Sequence, residues 1–150
     1  MEQKLKCTKP LKVYNENMVK GFHKNIEQHT LQNENFRQVL YTAKNCQLVL
    51  MRLLPNEEIG SEVHDEGDQF FRFEKGQGKV IINETEYDVT DGDCVIVPSG
   101  ARHNVINTST TDPLKLYTIY APPHHKDGIT RATCEEAVND GPEFDGTTTE

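Results

Sequence analysis

The sequence predicts an all-β fold, an antiparallel barrel or sandwich contained in one domain. Three observations carry this reading. Nine short runs rich in β-branched and large apolar residues follow one another between Phe36 and Tyr120, as expected of many short strands at regular spacing. Turn chemistry separates the neighbours at Pro55-Asn56, Gly76-Gln77-Gly78, Asn83-Glu84, Asp91-Gly92-Asp93, Pro98-Ser99-Gly100 and Thr111-Asp112-Pro113. No helical-period run long enough to compete lies inside that span.

Taken in order, residues 1–35 are polar and weakly patterned, with turn-like or cap-like groups at Asn15-Glu16-Asn17-Met18 and Thr30-Leu31-Gln32-Asn33. This arm is expected to cover a sheet edge or to form a dimer contact, because an unpaired edge strand invites pairing. The barrel is expected over 36–121. Its strands are predicted at 36–42, 46–54, 59–64, 69–73, 79–82, 86–89, 94–97, 103–106 and 114–120. Residues 122–150 form a polar extension. Within it, Pro122 to Gly128 is predicted to leave the barrel as an extended arm, and Gly141 to Glu150 to be a frayed tail.

A chain of 150 residues is the size of one domain and can bury one real core. Sixteen Lys+Arg against 24 Asp+Glu give a net charge of -8, which repels phosphate backbones and anionic membrane surfaces. Neither nucleic acid nor membrane is an expected partner. No stretch approaches a membrane span and no signal-like apolar segment follows the N-terminus, so a cytoplasmic protein is expected. Cys7, Cys46, Cys94 and Cys134 show no Cys-x-x-Cys spacing, so neither a disulfide framework nor a cysteine zinc site is expected. Cys46 and Cys94 each open a strand-like run and read as small core hydrophobes.

The most informative segment is Gly92-Asp-Cys-Val-Ile-Val-Pro98-Ser-Gly100-Ala-Arg-His103-Asn-Val-Ile-Asn107. Gly92 follows a turn into a buried strand, Pro98 ends that strand, Gly100 permits a tight reversal, and His103 is delivered to the next strand facing inward. The pattern resembles, in full, the second signature motif of the cupin family. The resemblance implies a double-stranded β-helix, or jelly-roll, barrel. Upstream, the family's first motif is met in altered form. Asn56 stands in the opening glycine slot, Glu62 and His64 in the two histidine slots, Gln69 in the glutamate slot and Gly76 in the closing glycine slot. Asparagine is the best substitute for glycine at a left-handed turn.

Carried over slot by slot, the resemblance implies that Glu62, His64, Gln69 and His103 bind one divalent transition metal. Strand parity agrees, since Glu62 and His64 are two residues apart and Gln69 shares a face with Phe71 and Phe73. Two imidazoles, a carboxylate and an amide oxygen suit Mn, Fe, Ni, Zn or Co alike. Between Phe36 and Gly128 the chain also resembles small single-domain cupins labelled by similarity to the cupin part of type 2 mannose-6-phosphate isomerases.

Several functions follow as expectations. The leading one is a small metalloenzyme that moves protons on a sugar, sugar phosphate or oxyacid, as an isomerase or epimerase does. An iron-dependent dioxygenase and a non-catalytic ligand-binding or sensing domain are the alternatives. Glu74, Tyr117 and Tyr120 are candidate proton-transfer residues. Phe71, Phe73 and Arg102 are expected to line the pocket, which should take a small, oxygen-rich, anionic ligand. For a phosphosugar, Arg52, Arg72, Arg102 and Lys115 are the available cations. His124 and His125 read as a solvated loop, and His23 and His29 are assigned no role. A homodimer is expected.

Overall fold

The computed structural model describes residues 19–139 and 143–150. Residues 1–18 of the predicted arm, with Cys7 and the turn at Asn15, lie outside the described residues, as does Gly141. The chain runs α1 (Ile26–Gln32), β1 (Arg37–Thr42), β2 (Gln47–Leu53), β3 (Asp68–Lys75), β4 (Gln77–Ile82), β5 (Thr85–Thr90), β6 (Cys94–Val97), β7 (His103–Asn107), β8 (Leu114–Ala121), β9 (Thr130–Arg131) and α2 (Cys134–Asn139). All pairings are antiparallel. One sheet has the order β6-β3-β8-β2-β1-β9 and the other the order β5-β4-β7. This is the predicted all-β double-stranded β-helix.

Alternation along the strands builds the core. Phe71 and Phe73 of β3, Leu114 and Leu116 of β8, Val49 and Met51 of β2, Val80 of β4 and Val105 of β7 all point between the sheets. Burying a side chain of this kind contributes roughly 1.5–3 kcal/mol, so the apolar interior is the main source of stability. Gly76 joins β3 to β4 at φ 92°, and a Cβ there would meet the Pro113 carbonyl oxygen at 2.6 Å. Asn56 turns at φ 62°, the left-handed conformation its place in the motif predicts.

Four local expectations are corrected. Residues 59–64 do not form a strand. Gly60 at φ 103° bends the segment, which meets β7 through the isolated bridge Glu62↔His103 and through the Ile59 and Gly60 N–H groups, which donate to the Val105 carbonyl and to Asn104 Oδ1. Cys46 and Cys94 are exposed free thiols rather than core hydrophobes. Cys46 sits in the β1–β2 turn, where its carbonyl accepts from the Ala43 N–H, and Cys94 shares the outward face of β6 with Ile96. The extension does not depart as an arm, because Thr130 and Arg131 pair with β1 and α2 follows. Nor is its end frayed. The Thr149 N–H donates to the Thr42 carbonyl, and Glu150 accepts from the Lys20 and Gly21 N–H groups and the Tyr41 hydroxyl.

The described part of the N-terminal arm forms α1, whose N-cap Asn25 accepts from the Gln28 N–H at 3.0 Å. The helix packs on β2, β3 and β8, and Glu34 just beyond it pairs with Arg52 and Lys115. It therefore lies on the outer face of the large sheet.

Candidate metal centre

The second motif places His103 mechanically. Gly100 turns at φ 81° and its N–H donates to the His64 carbonyl at 2.8 Å. The Glu62 and His103 backbones exchange two hydrogen bonds, each of 2.9 Å. The loop carrying Glu62 and His64 is thus stitched to the start of β7, where His103 is 3 % exposed. The outcome is a cluster in which one ligand atom each from Glu62, His64 and His103 lies within 4.8 Å of the others.

Gln69, 2 % exposed on β3, completes the group from the opposite sheet. Its Nε2 donates to Thr118 Oγ1 at 2.9 Å, and its Oε1 lies 3.1 Å from His103 Nε2. The other His103 nitrogen, Nδ1, is 3.1 Å from the Ala101 carbonyl. That carbonyl accepts a hydrogen bond from Nδ1–H, which leaves the Nε2 lone pair turned inward, towards the Gln69 oxygen. Two acceptors facing each other call for a cation between them or a shared proton. His64 Nε2 adds a third donor atom, buried with no hydrogen-bond partner and 3.4 Å from Glu62 Oε2. Orphaned inward lone pairs, a nearby carboxylate and an outer carbonyl fixing one imidazole are what a divalent transition metal requires. The residues fit the group.

The electrostatics agree. Burial pushes the Glu62 carboxyl up, yet contact with His64, helped by the charges of Arg37 and His103, leaves it below its usual range. Burial holds His103 below the ordinary histidine value. Both groups are therefore in their ligating forms near neutral pH.

A cleft of about 370 Å³ opens beside the cluster, lined by His64, Tyr120 and His124 among others. His124 meets His64 edge-on with ring centroids 4.4 Å apart and stacks on Tyr120 at 5.2 Å. His125 is 4 % exposed, and its Nε2 lies 3.2 Å from the Tyr120 hydroxyl. His125 therefore departs from the solvated-loop expectation, whereas His124 stays exposed while its ring packs on Tyr120 and His64. Gln47 is the cause. Its buried amide donates to the His125 carbonyl and accepts from the His124 and His125 N–H groups, drawing the loop onto the barrel. A glutamine at an inward strand position was the available signal.

The other predicted residues divide by strand parity. Tyr120 pairs with Gln69 in register and points inward, whereas Tyr117 pairs with Arg72 and points outward. Glu74 sits at a β3 irregularity beside Arg72, 3.4 Å away, on the same outer side. Glu74 and Tyr117 are thus not brought to the cluster; Tyr120 is. Phe71 touches the His103 ring at 6.1 Å, and Phe73 is fully buried core. Arg102 is exposed at the turn opposite Asn83 and does not line the cleft. Arg52 and Lys115 are held by Glu34 and Arg72 by Glu74, all outside the barrel. The inward cation that the sequence reading missed is Arg37, 5 % exposed.

A pH dependence follows. Burial holds His103 below its ordinary value and pushes His125 down to about 2, with the charge of Arg37 adding to the latter effect. The unfolded chain takes up these protons near pH 6.5 and the folded chain does not, so below that pH the unfolded state binds more protons. Stability is complete above about pH 6.5 and is lost as the pH falls, with a slope of up to roughly 1.4 kcal/mol per pH unit for each histidine. Urea midpoints of metal-free protein should fall between about pH 7 and pH 5. An unchanged midpoint would show that these rings are not buried in neutral form.

Comparison with known proteins agrees with the fold. Residues 49–120 match the family model described as a Cupin domain. An uncharacterized protein of Bacillus subtilis (strain 168), YrkC, is 45% identical over 125 residues, a match spanning 79% of this chain and 67% of the relative. The crystal structure of BH2720 from Bacillus halodurans is 37% identical, superposes with a TM-score of 0.79, and is covered entirely by 85% of this chain. A predicted oxalate decarboxylase from Thermotoga maritima shares the fold at 22% identity and a TM-score of 0.50, over 53% of this chain and 69% of that one. With both motifs in place and the matching barrel around them, the chain belongs to the cupin superfamily.

Proposed function

We propose that this cupin is a mononuclear metalloenzyme acting on a small, oxygen-rich, anionic molecule. The observation that carries the reading is the convergence of Glu62, His64 and His103 beside an open cleft that His64 lines. Three protein ligands with a cavity beside them suit a catalytic rather than a structural metal site. When bound there, the metal supplies Lewis acidity towards a substrate oxygen. The chain's own residues do the rest. Glu62, His64 and His103 hold the ion, and Gln69 stands ready as a neutral oxygen ligand anchored by Thr118. Phe71 and the apolar core behind the site exclude water from its inner side. His124, at the mouth of the cleft, is the residue placed to carry a proton between a bound substrate and solvent. Burial keeps the Tyr120 hydroxyl protonated, so it serves as a hydrogen-bond donor rather than a base.

This set favours isomerase-type proton transfer on a hydroxy-carbonyl compound. Dioxygenation is the second reading, supported by the two-histidine, one-carboxylate donor set that non-haem iron oxygenases share. The two separate in one assay series. Protein loaded with Mn or Zn should interconvert a hydroxy-carbonyl substrate anaerobically, whereas the oxygenase reading requires oxygen uptake with iron alone. No turnover and no thermal shift across small oxyacids and sugar phosphates at millimolar concentration would leave a binding or sensing role.

A further inference from the structure

Residues 122–128 supply the His124 side of the cleft without belonging to a strand or helix. A segment of this kind stays in place through the bonds that tie it to the scaffold. From inside, the buried Gln47 amide holds the backbone of His124 and His125. From outside, residues 144–150 lie across the same loop. The Phe144 N–H donates to the His124 carbonyl at 3.0 Å, and Thr149 Oγ1 donates to Asp127 Oδ1 at 2.9 Å. His124 is thus held by its N–H on one side and by its carbonyl on the other.

Thr42, at the end of β1, joins the two anchors. Its carbonyl accepts from the Thr149 N–H at 2.9 Å, and its N–H donates to Thr149 Oγ1 at 2.8 Å. Its hydroxyl accepts at 2.9 Å from Gln47 Nε2, which also donates to the His125 carbonyl at 2.7 Å. A run of hydrogen bonds therefore leads from Thr149 through Thr42 and Gln47 to the loop. Its two ends differ in their surroundings. Thr42 and Gln47 are fully buried, whereas Thr149 and Glu150 are exposed. Exposed hydrogen bonds compete with water, so residues 144–150 sit at the low-stability end of the structure and open before the barrel does.

We propose that residues 144–150 are a releasable strap that sets the position of the cleft's His124 wall, with Thr149 as its clip. With the strap closed, the His124 ring is kept against His64 and Tyr120. When it lifts, the loop keeps its Gln47 anchor only, and the cleft widens on that side. The inference goes beyond the metal reading and does not depend on it, since neither strap nor loop contains a member of the Glu62–His64–His103 cluster.

The test is amide hydrogen exchange of the full chain, free of metal, on wild type, Thr149→Val and Thr149→Ser. Valine keeps the shape and removes both hydroxyl bonds; serine keeps the bonds. In Thr149→Val the Phe144 amide should exchange about tenfold faster, and the His125 amide at least about threefold faster although its own partner is Gln47. The Val80 and Val105 amides in the small sheet should keep their wild-type rates. A soluble neutral nitroxide should also broaden the His64 ring signals more in Thr149→Val than in wild type, reporting a wider cleft. Thr149→Ser should match wild type throughout. An unchanged Phe144 amide would show that Thr149 is no clip. A faster Phe144 amide beside an unchanged His125 amide, or His64 signals broadened no more than in wild type, would show that the wall does not follow the strap. Each of these results overturns the proposal.

Discussion

His64→Ala and His103→Ala are each expected to purify with little or no bound metal, at least about a hundredfold weaker in affinity than the parent. Each change deletes one of two inward imidazole nitrogens and leaves Glu62 with a single strong partner. Gln69→Ala should cost far less, because the amide is a neutral ligand whose nearest partners are Thr118 and His103 themselves. Gln69→Glu separates the two roles of that position. It restores the carboxylate of the cupin motif and should tighten metal binding. It should also lower the stability of the metal-free protein, by placing a second buried carboxylate near Glu62. Metal titrations and urea melts of the four variants check all of this. Wild-type metal affinity in either histidine variant would refute the assignment.

The largest effect on stability is expected from Asn107→Ala. The side chain is 1 % exposed at the end of β7. Its Nδ2 is placed to donate to the carbonyls of Leu53, Leu54 and Asp112, at 3.1, 3.0 and 2.9 Å, and its Oδ1 accepts from the Ser109 N–H at 3.0 Å. It therefore ties the exit of β2 and the loop before β8 to the small sheet. Alanine strands those backbone groups in a buried place, at about 1–3 kcal/mol for each that finds no water. Asn107→Ala should lower stability by roughly 3–5 kcal/mol. Asn107→Asp should recover only part of that loss, because it keeps the acceptor and loses the donor. A urea melt within about 1 kcal/mol of wild type would mean that water replaces these bonds.

Those two residues also show what the sequence made legible. The second motif fixes local chain geometry, with Gly92 and Gly100 at positive φ, Pro98 ending β6 and Asn107 bonding neighbouring backbone, and so delivers His103 to the cluster. The structure places all five where the spacing implies. The altered first motif was readable for the same reason, since Asn56 takes the left-handed turn of the glycine it replaces. What stayed hidden depends on register and on long-range contacts. Tyr117 and Tyr120 are chemically alike, and only the pairing of Gln69 with Tyr120 decides which one faces inward. The fate of His124 and His125 is set by Gln47, far away in sequence. Arg37 looks like any charged residue at a strand start until the pairing of β1 with β2 and β9 turns it to the buried face opposite Met51.

The central claim is that Glu62, His64 and His103 hold one divalent ion beside the cleft that His64 lines. The most direct measurement is an anomalous difference map from crystals loaded with Zn, collected on both sides of the metal edge. The account predicts one strong peak per chain, about 2.0–2.2 Å from the two imidazole nitrogens and the Glu62 carboxylate, with Gln69 as the next oxygen. No peak at that point, or one held by His124 and His125 instead, would contradict it.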